Sequence, residues 1–279
     1  MDYVTKWGEL RQILGEDRPA AQLRRLALSA LAALATPKPQ NALRVLCSHY
    51  VFDDQIEDFD RKIKFLLTIG AFVDAAGVLA HLRGETTSDR PLFHLTFDDA
   101  RRNVVTNALP VLRAHGVPAT FFVATSRLGA HLPMSRGGRA VEMARWDDLA
   151  AAQTHGLEIA SHTRAHPRLA AISGNAARLE DEICGSKALI ESRLGRPCRY
   201  FAWPYGRRAD IDAAATQWVK RAGYEASFGA FRGAVESGVT DAYAIPRHHV
   251  EADWPLSHLK FFALGGREKT ARIRALSRR

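Results

Sequence analysis

Short, mostly apolar runs punctuate this chain at Ala42–Cys47, Leu92–Phe97, Ala119–Ala124, Leu157–Ala160 and Tyr200–Ala202. Runs of this length bounded by turn residues read as strands. Between them the pattern changes to helical spacing, over Asp58–Leu67, Val73–Leu82, Arg102–His115, Trp146–Thr154, Ala177–Leu194 and Asp212–Ala222. Gly116 supplies a stop for the third of these helices. Two further short strands are predicted near Glu225–Ser227 and Ala244–Ile245. Strands alternating with helices from residue 42 to about 265 argue for a parallel-sheet α/β fold, most simply a barrel.

The flanks read differently. Residues 1–36 are helical in pattern with breaks near Gly15 and Pro19, and Pro37-Lys38-Pro39 is a stiff linker. The expected division is a helical extension and linker over 1–40, a barrel over 41–265 and a basic tail over 266–279. Arg24-Arg25 followed by Leu26–Ala35 has the look of a twin-arginine export signal. However, Leu23, Leu26, Ala27, Ala30, Leu31 and Leu34 share one helical face, and Glu9, Glu16 and Asp17 precede them, which suits a docked helix better. The expected location is therefore cytoplasmic, with a membrane-peripheral placement through the basic tail or export as alternatives.

At 279 residues and 47% hydrophobic, the chain has enough apolar material for a full core. It holds no run of about 18 apolar residues, so no segment reads as a membrane-spanning helix. Cys47, Cys184 and Cys198 are odd in number and widely spaced, which suggests neither a disulfide framework nor a cysteine zinc site. Of the formal charge of +9, the segment from Arg267 to Arg279 carries six basic residues against one acid. Such a tail suits an anionic membrane surface or is simply a solvated terminus, and no nucleic-acid motif accompanies it.

Three motifs carry the chemistry: Leu95-Thr96-Phe97-Asp98-Asp99, Ser161-His162-Thr163-Arg164-Ala165-His166-Pro167, and Tyr200-Phe201-Ala202-Trp203-Pro204-Tyr205-Gly206. Each follows a predicted strand, so each belongs at a strand's carboxyl end, where α/β folds place their sites. Alone, the acid pair reads first as a helix cap, and a lone His-x-x-x-His is more often incidental than metal-binding. Together they offer two imidazoles and a carboxylate, a donor set for a catalytic zinc ion with an open position for water. A second carboxylate beside that set would take the proton as the water attacks.

In this order the motifs resemble those of the polysaccharide deacetylases, the NodB-homology family of metal-dependent carbohydrate de-N-acetylases. The resemblance spans residues 42–265 and includes Ala108-Leu109-Pro110, the stretch Gly116–Phe122 and Arg145-Trp146-Asp147. It implies a distorted (β/α) barrel, Asp98 as catalytic base, and Asp99, His162 and His166 as ligands of one divalent metal, zinc by expectation. It implies that the backbone N–H of Tyr205 helps hold the oxyanion. Ala100 stands where the family usually has glycine, and Ala202 where many members have an arginine that orients and charges the base. The Ala-aromatic-Pro-Tyr-Gly turn is familiar in a branch whose last catalytic motif is circularly permuted to the front.

That branch singles out His49, at the end of the first strand, as the acid that protonates the leaving amine. His258, in Leu256-Ser257-His258, and His248 and His249 are the other options. Trp203 and Trp254 are candidates to stack on a sugar, or else core residues. The expected function is removal of N-acetyl groups from amino sugars of a polysaccharide, oligosaccharide or lipid-linked glycan, in exopolysaccharide assembly. O-deacetylation and a sugar-binding barrel without turnover remain alternatives. A phosphohydrolase fits poorly, because the chain has no His-Asp dyad and no P-loop.

Overall fold

A computed structural model describes residues 3–14, 23, 26–30, 32, 42–133, 140–266 and 268. The linker Pro37-Lys38-Pro39, the Arg24-Arg25 pair and most of the basic tail lie outside these residues. Helix α1 (Trp7–Leu14) precedes the sheet. The core then runs β1 (Leu43–Ser48), α2 (Ile56–Ile69), β2 (Ala71–Phe72), α3 (Ala75–Leu82), β3 (Leu92–Phe97), α4 (Leu109–Ala114) and β4 (Ala119–Val123). A small antiparallel pair, β5 (His131–Pro133) and β6 (Ala140–Glu142), interrupts the alternation. It resumes with α5 (Trp146–Thr154), β7 (Leu157–Ser161), α6 (Ala176–Glu180), α7 (Ser186–Leu194), β8 (Tyr200–Ala202), α8 (Ala213–Arg221) and β9 (Ala226–Phe228). Strand β10 (Arg247–His249) and α9 (Leu256–Ala263) close the series.

The main sheet has the order β10-β1-β3-β4-β7-β8-β9, with β2 added against β3, and every pairing in it is parallel. It curls almost shut. Ile245 N donates to Ser227 O at 3.0 Å, Gly229 N to Ile245 O at 2.8 Å and Arg247 N to Phe231 O at 2.9 Å. The segment entering β10 is thereby tied to the exit of β9, and the result is a (β/α) barrel with one irregular seam.

The strands are buried on both faces, which explains why they read as apolar runs rather than as alternating patterns. Val45, Phe122, Ala160, Ala202, Phe228 and Ile245 belong to an inner cluster that Ala75, Val78 and Leu79 of α3 join. Leu46, Leu95, Phe121, Ile159 and Phe201 belong to the outer one, with helix residues such as Ile63, Leu112, Leu149, Ile183 and Val219.

Several predicted elements differ in detail. The helices predicted over Arg102–His115 and Ala177–Leu194 are each interrupted by a π-helical turn, at Val104–Ala108 and Asp181–Gly185. The helix predicted from Val73 starts at Ala75 behind an Asp74 cap, whose carboxylate accepts from Gly77 N at 2.7 Å. The last strand is not Ala244–Ile245 but Arg247–His249, a polar triplet whose strand character comes from its pairing with β1. Among the described residues no helix is long and apolar enough to cross a membrane.

Candidate active site

The three motifs meet at the carboxyl ends of adjacent strands because the sheet order puts β3, β4, β7 and β8 side by side. Five described residues other than glycine have a left-handed backbone, and all lie in these motifs or directly after one: Asp99, Ala100, Thr163, His166 and Tyr205, with φ from 61° to 76°. Such conformations cost roughly 1–2 kcal/mol each for a residue with a Cβ. Ala100 thus adopts the backbone a glycine would favour, and it is fully buried while doing so. The strained turns are held from outside: the Glu182 carboxylate accepts from Arg164 N at 3.0 Å and Ala165 N at 2.8 Å. Thr163 Oγ1 accepts from His166 N at 2.9 Å.

Asp98 projects into the barrel with 4% of its surface exposed. Its two oxygens accept from Arg247 Nη1 at 2.8 Å and Nη2 at 2.7 Å. Burial pushes this carboxyl's pKa up, but the Arg247 charge, His162 and the hydrogen bonds from Arg247 outweigh it. They hold the group well below the usual carboxylate range. Arg247, from a different strand, thus places beside Asp98 the charge that Ala202 does not carry. Its Nε also donates to Gly229 O at 2.6 Å and its Nη1 to Thr96 Oγ1 at 3.1 Å.

Asp99, His162 and His166 each offer a donor atom within 4.8 Å of one another. His162 Nδ1–H donates to the Ala202 carbonyl at 2.8 Å, which leaves Nε2 with its lone pair. Burial lowers the pKa of His162, and burial with the neighbouring His162 pushes His166 down to about 3, so both rings are neutral and free to ligate. His166 Nδ1 is buried without a hydrogen-bond partner. Asp99 is pushed up by burial but lowered overall by His49, His162 and His166, and it accepts from Arg127 Nη1 at 3.0 Å. Two neutral imidazoles and an ionised carboxylate fit a divalent cation.

His49 follows β1, directly beside β3. Its Nδ1 lies 2.8 Å from Glu251 Oε1, and its backbone N donates to Glu251 Oε2 at 3.2 Å. Burial would lower its pKa, but Glu251 and, more distantly, Asp98 and Asp99 raise it to about 8. The other histidines are occupied elsewhere: His258 is 1% exposed with Nε2 2.8 Å from Ser29 Oγ, and His248 Nε2 lies 2.9 Å from Glu268 Oε1. His249 is half-exposed and shares Glu251 with His49, at 2.6 Å from Oε1.

The expectation that Trp203 lines a sugar site is overturned. It is 1% exposed, and its Nε1 donates to Ser227 Oγ at 2.8 Å and to Tyr243 O at 3.1 Å, so its faces are core. Trp254 is half-buried between His249, His258 and Phe262. Tyr205 is 51% exposed, packs against His166 with ring centroids 5.1 Å apart, and lies under the Arg168 guanidinium at 4.3 Å. Among the described residues its N–H has no protein acceptor.

Arg247, Glu251 and Arg127 are site residues that the sequence reading passed over. Pro246-Arg247 stood just past the predicted strand end, and no local pattern ties residue 247 to residue 98.

A family model described as polysaccharide deacetylase matches residues 85–227, a span holding all three motifs but neither His49 nor Arg247. Among solved structures, IcaB from Ammonifex degensii is 22% identical with a TM-score of 0.70, over 81% of this chain and 98% of that one. The deacetylase PplD of Streptococcus pyogenes, in complex with acetate, is 18% identical with a TM-score of 0.65, over 81% and 99%. A de-N-acetylase from Aggregatibacter actinomycetemcomitans is 20% identical with a TM-score of 0.63, over 79% and 99%. No curated protein matches the chain.

The ion pair yields a prediction. Arg247→Met leaves Asp98 as a buried, unpaired charge and should cost about 3–5 kcal/mol in denaturant unfolding. Adding Asp98→Asn should recover part of that loss, because the two residues are coupled. Additive losses in the double variant would mean that the pair carries no interaction energy.

Proposed function

The chain belongs to the polysaccharide deacetylase family, and on that premise we propose that it hydrolyses N-acetyl groups on an amino-sugar glycan, releasing acetate and a free amine. The observation that carries the reading is the pairing of an ionised acceptor, Asp98, with a protonated donor, His49, beside the Asp99, His162 and His166 set. A de-N-acetylase and an acetate-bound deacetylase among the structures of like fold agree with it.

Asp99, His162 and His166 would hold one divalent metal, by preference zinc, which when bound supplies Lewis acidity to a carbonyl and to water. Asp98, ionised at any working pH, accepts the proton of the attacking water. Its pairing with Arg247 makes it a weak base but fixes its orientation, so proton transfer relies on a water already acidified. The unpaired N–H of Tyr205 is offered to the developing oxyanion. His49 commits Nδ1 to Glu251 and gives a proton to the departing nitrogen. An amine is a poor leaving group without that proton, so a histidine charged at neutral pH favours amide over ester hydrolysis. Trp203 has no part in sugar binding; Tyr205, with its exposed ring, would contact the sugar.

The reading is tested by acetate release from chitooligosaccharides alongside metal analysis. His162→Ala should lose both metal and turnover; a variant that keeps stoichiometric metal and full turnover refutes the ligand set. Asp98→Asn should keep its metal while turnover falls by about 10²–10⁴-fold, the usual range for a general base. Loss of metal in that variant would make Asp98 a ligand instead.

His49→Ala should cost about 10²–10⁴-fold on an N-acetyl substrate and far less on an activated aryl acetate, whose leaving group needs no proton. Because the pKa of His49 is raised to about 8, the donor is charged below that pH and lost above it. Wild-type amide hydrolysis should therefore fall as pH rises through about 8, and the aryl-ester rate should not. A defect that follows His258 while His49→Ala stays near wild type would overturn the assignment.

A further inference from the structure

Beside the first donor set lies a second that shares no residue with it. His49 Nδ1 and His249 Nε2 converge on one oxygen, Glu251 Oε1, from 2.8 Å and 2.6 Å. The two rings sit 4.9 Å apart between centroids, and the three donor atoms all lie within 4.8 Å of one another. We propose that His49, His249 and Glu251 form a second divalent-metal site of zinc type, and that its occupation withdraws His49 from proton donation. The binding half stands on geometry alone; the effect on turnover rests on His49 being the donor proposed above.

The site is built rather than incidental. Parallel pairing of β1 with β10 sets Cys47 opposite His249, so His49 emerges two positions beyond its neighbour's histidine, with Glu251 following in the same loop. Glu251 is buried, and its second oxygen is anchored by Ser48 Oγ at 2.9 Å and His49 N at 3.2 Å. Trp254 lies nearly parallel to the His249 ring, at 16° and 6.1 Å, and sets its plane. A carboxylate fixed from behind and a ring fixed by packing are what outer contacts provide in metal sites.

The ligands are also reachable. The His249 side chain is 45% exposed and that of His49 25%, so an ion enters from solvent without opening the barrel. In a tetrahedral zinc site with bonds of about 2.0–2.1 Å, neighbouring donors stand roughly 3.3 Å apart. The present hydrogen bonds at 2.6 Å and 2.8 Å therefore open by about 0.7 Å and 0.5 Å when an ion replaces the shared protons. Rotation of two partly exposed rings supplies that. The nearby trio of Cys47, His49 and Asp98 is a poorer candidate, because Cys47 is 2% exposed and Asp98 is committed to Arg247.

Metal-free full-length protein titrated calorimetrically with Zn2+ should take up about two equivalents in separable steps. His162→Ala should lose the first step and keep the second. His249→Ala should do the reverse, and so should His249→Gln, which can still donate to Glu251 but offers no imidazole ligand. In wild type, acetate release should rise with the first equivalent and fall by about 10²-fold or more as the second binds. The His249 variants should hold whatever rate they reach across the same range. A second step that survives in both His249 variants, or a single step in wild type, overturns the proposal. Two steps without acetate release from any N-acetyl sugar would leave the metal site standing and sink the deacetylase reading instead.

Discussion

The ion pair between Arg247 and Asp98 is the contact on which the site and the seam of the barrel both depend. Arg247 is 1% exposed and Asp98 4%, so neither charge is tolerable without the other. The same guanidinium reaches Gly229 O beyond β9 and Thr96 Oγ1 on β3. It therefore links β10 to β3 and to the segment after β9, and it orients the Asp98 carboxylate. The contact that ties β10 to β3 is thus the same one that keeps Asp98 ionised.

Around that pair the other ionisable groups divide by environment. His162 and His166 sit where burial outweighs nearby acids, and stay neutral. His49 sits where Glu251 outweighs burial, and is charged at neutral pH. One residue type is thus neutral at one place and charged at another, and Glu251 at 2.8 Å from His49 makes the difference. The turns around Asp99, His162 and His166 are left-handed at residues bearing a Cβ. That strain is sustained by Glu182, by Thr163 and by the packing beneath them.

Glu251 has the same economy of means. A single carboxylate orients His49, receives His249 and ties the end of β1 to the loop after β10. An arrangement that fixes His49 this firmly also sets two imidazoles and an oxygen close together. The proposed roles of proton donor and metal ligand therefore compete for the same cluster.

By itself the sequence determined the alternation of strands and helices and the three motifs, because both are local. A buried strand shows as an apolar run, and Asp98-Asp99, His162-x-x-x-His166 and the Pro204-Tyr205-Gly206 turn each fit within a few residues of a strand end. His49 was legible too, as a histidine at the end of a hydrophobic strand. The tertiary structure alone decided what faces those residues. The partner of Asp98 lies 149 residues away, on a strand of three polar residues with no periodicity to announce it. Trp203 sits inside a functional motif, yet it points into the core, because the barrel's curvature turns it toward Ser227 and Tyr243. Ala202 looked like a missing charge; its carbonyl instead sets the tautomer of His162 while the charge arrives from β10. Sequence pattern reports which face of an element is apolar, whereas a charge's partner is set by how the sheet closes. Only the folded barrel brings residue 247 to residue 98.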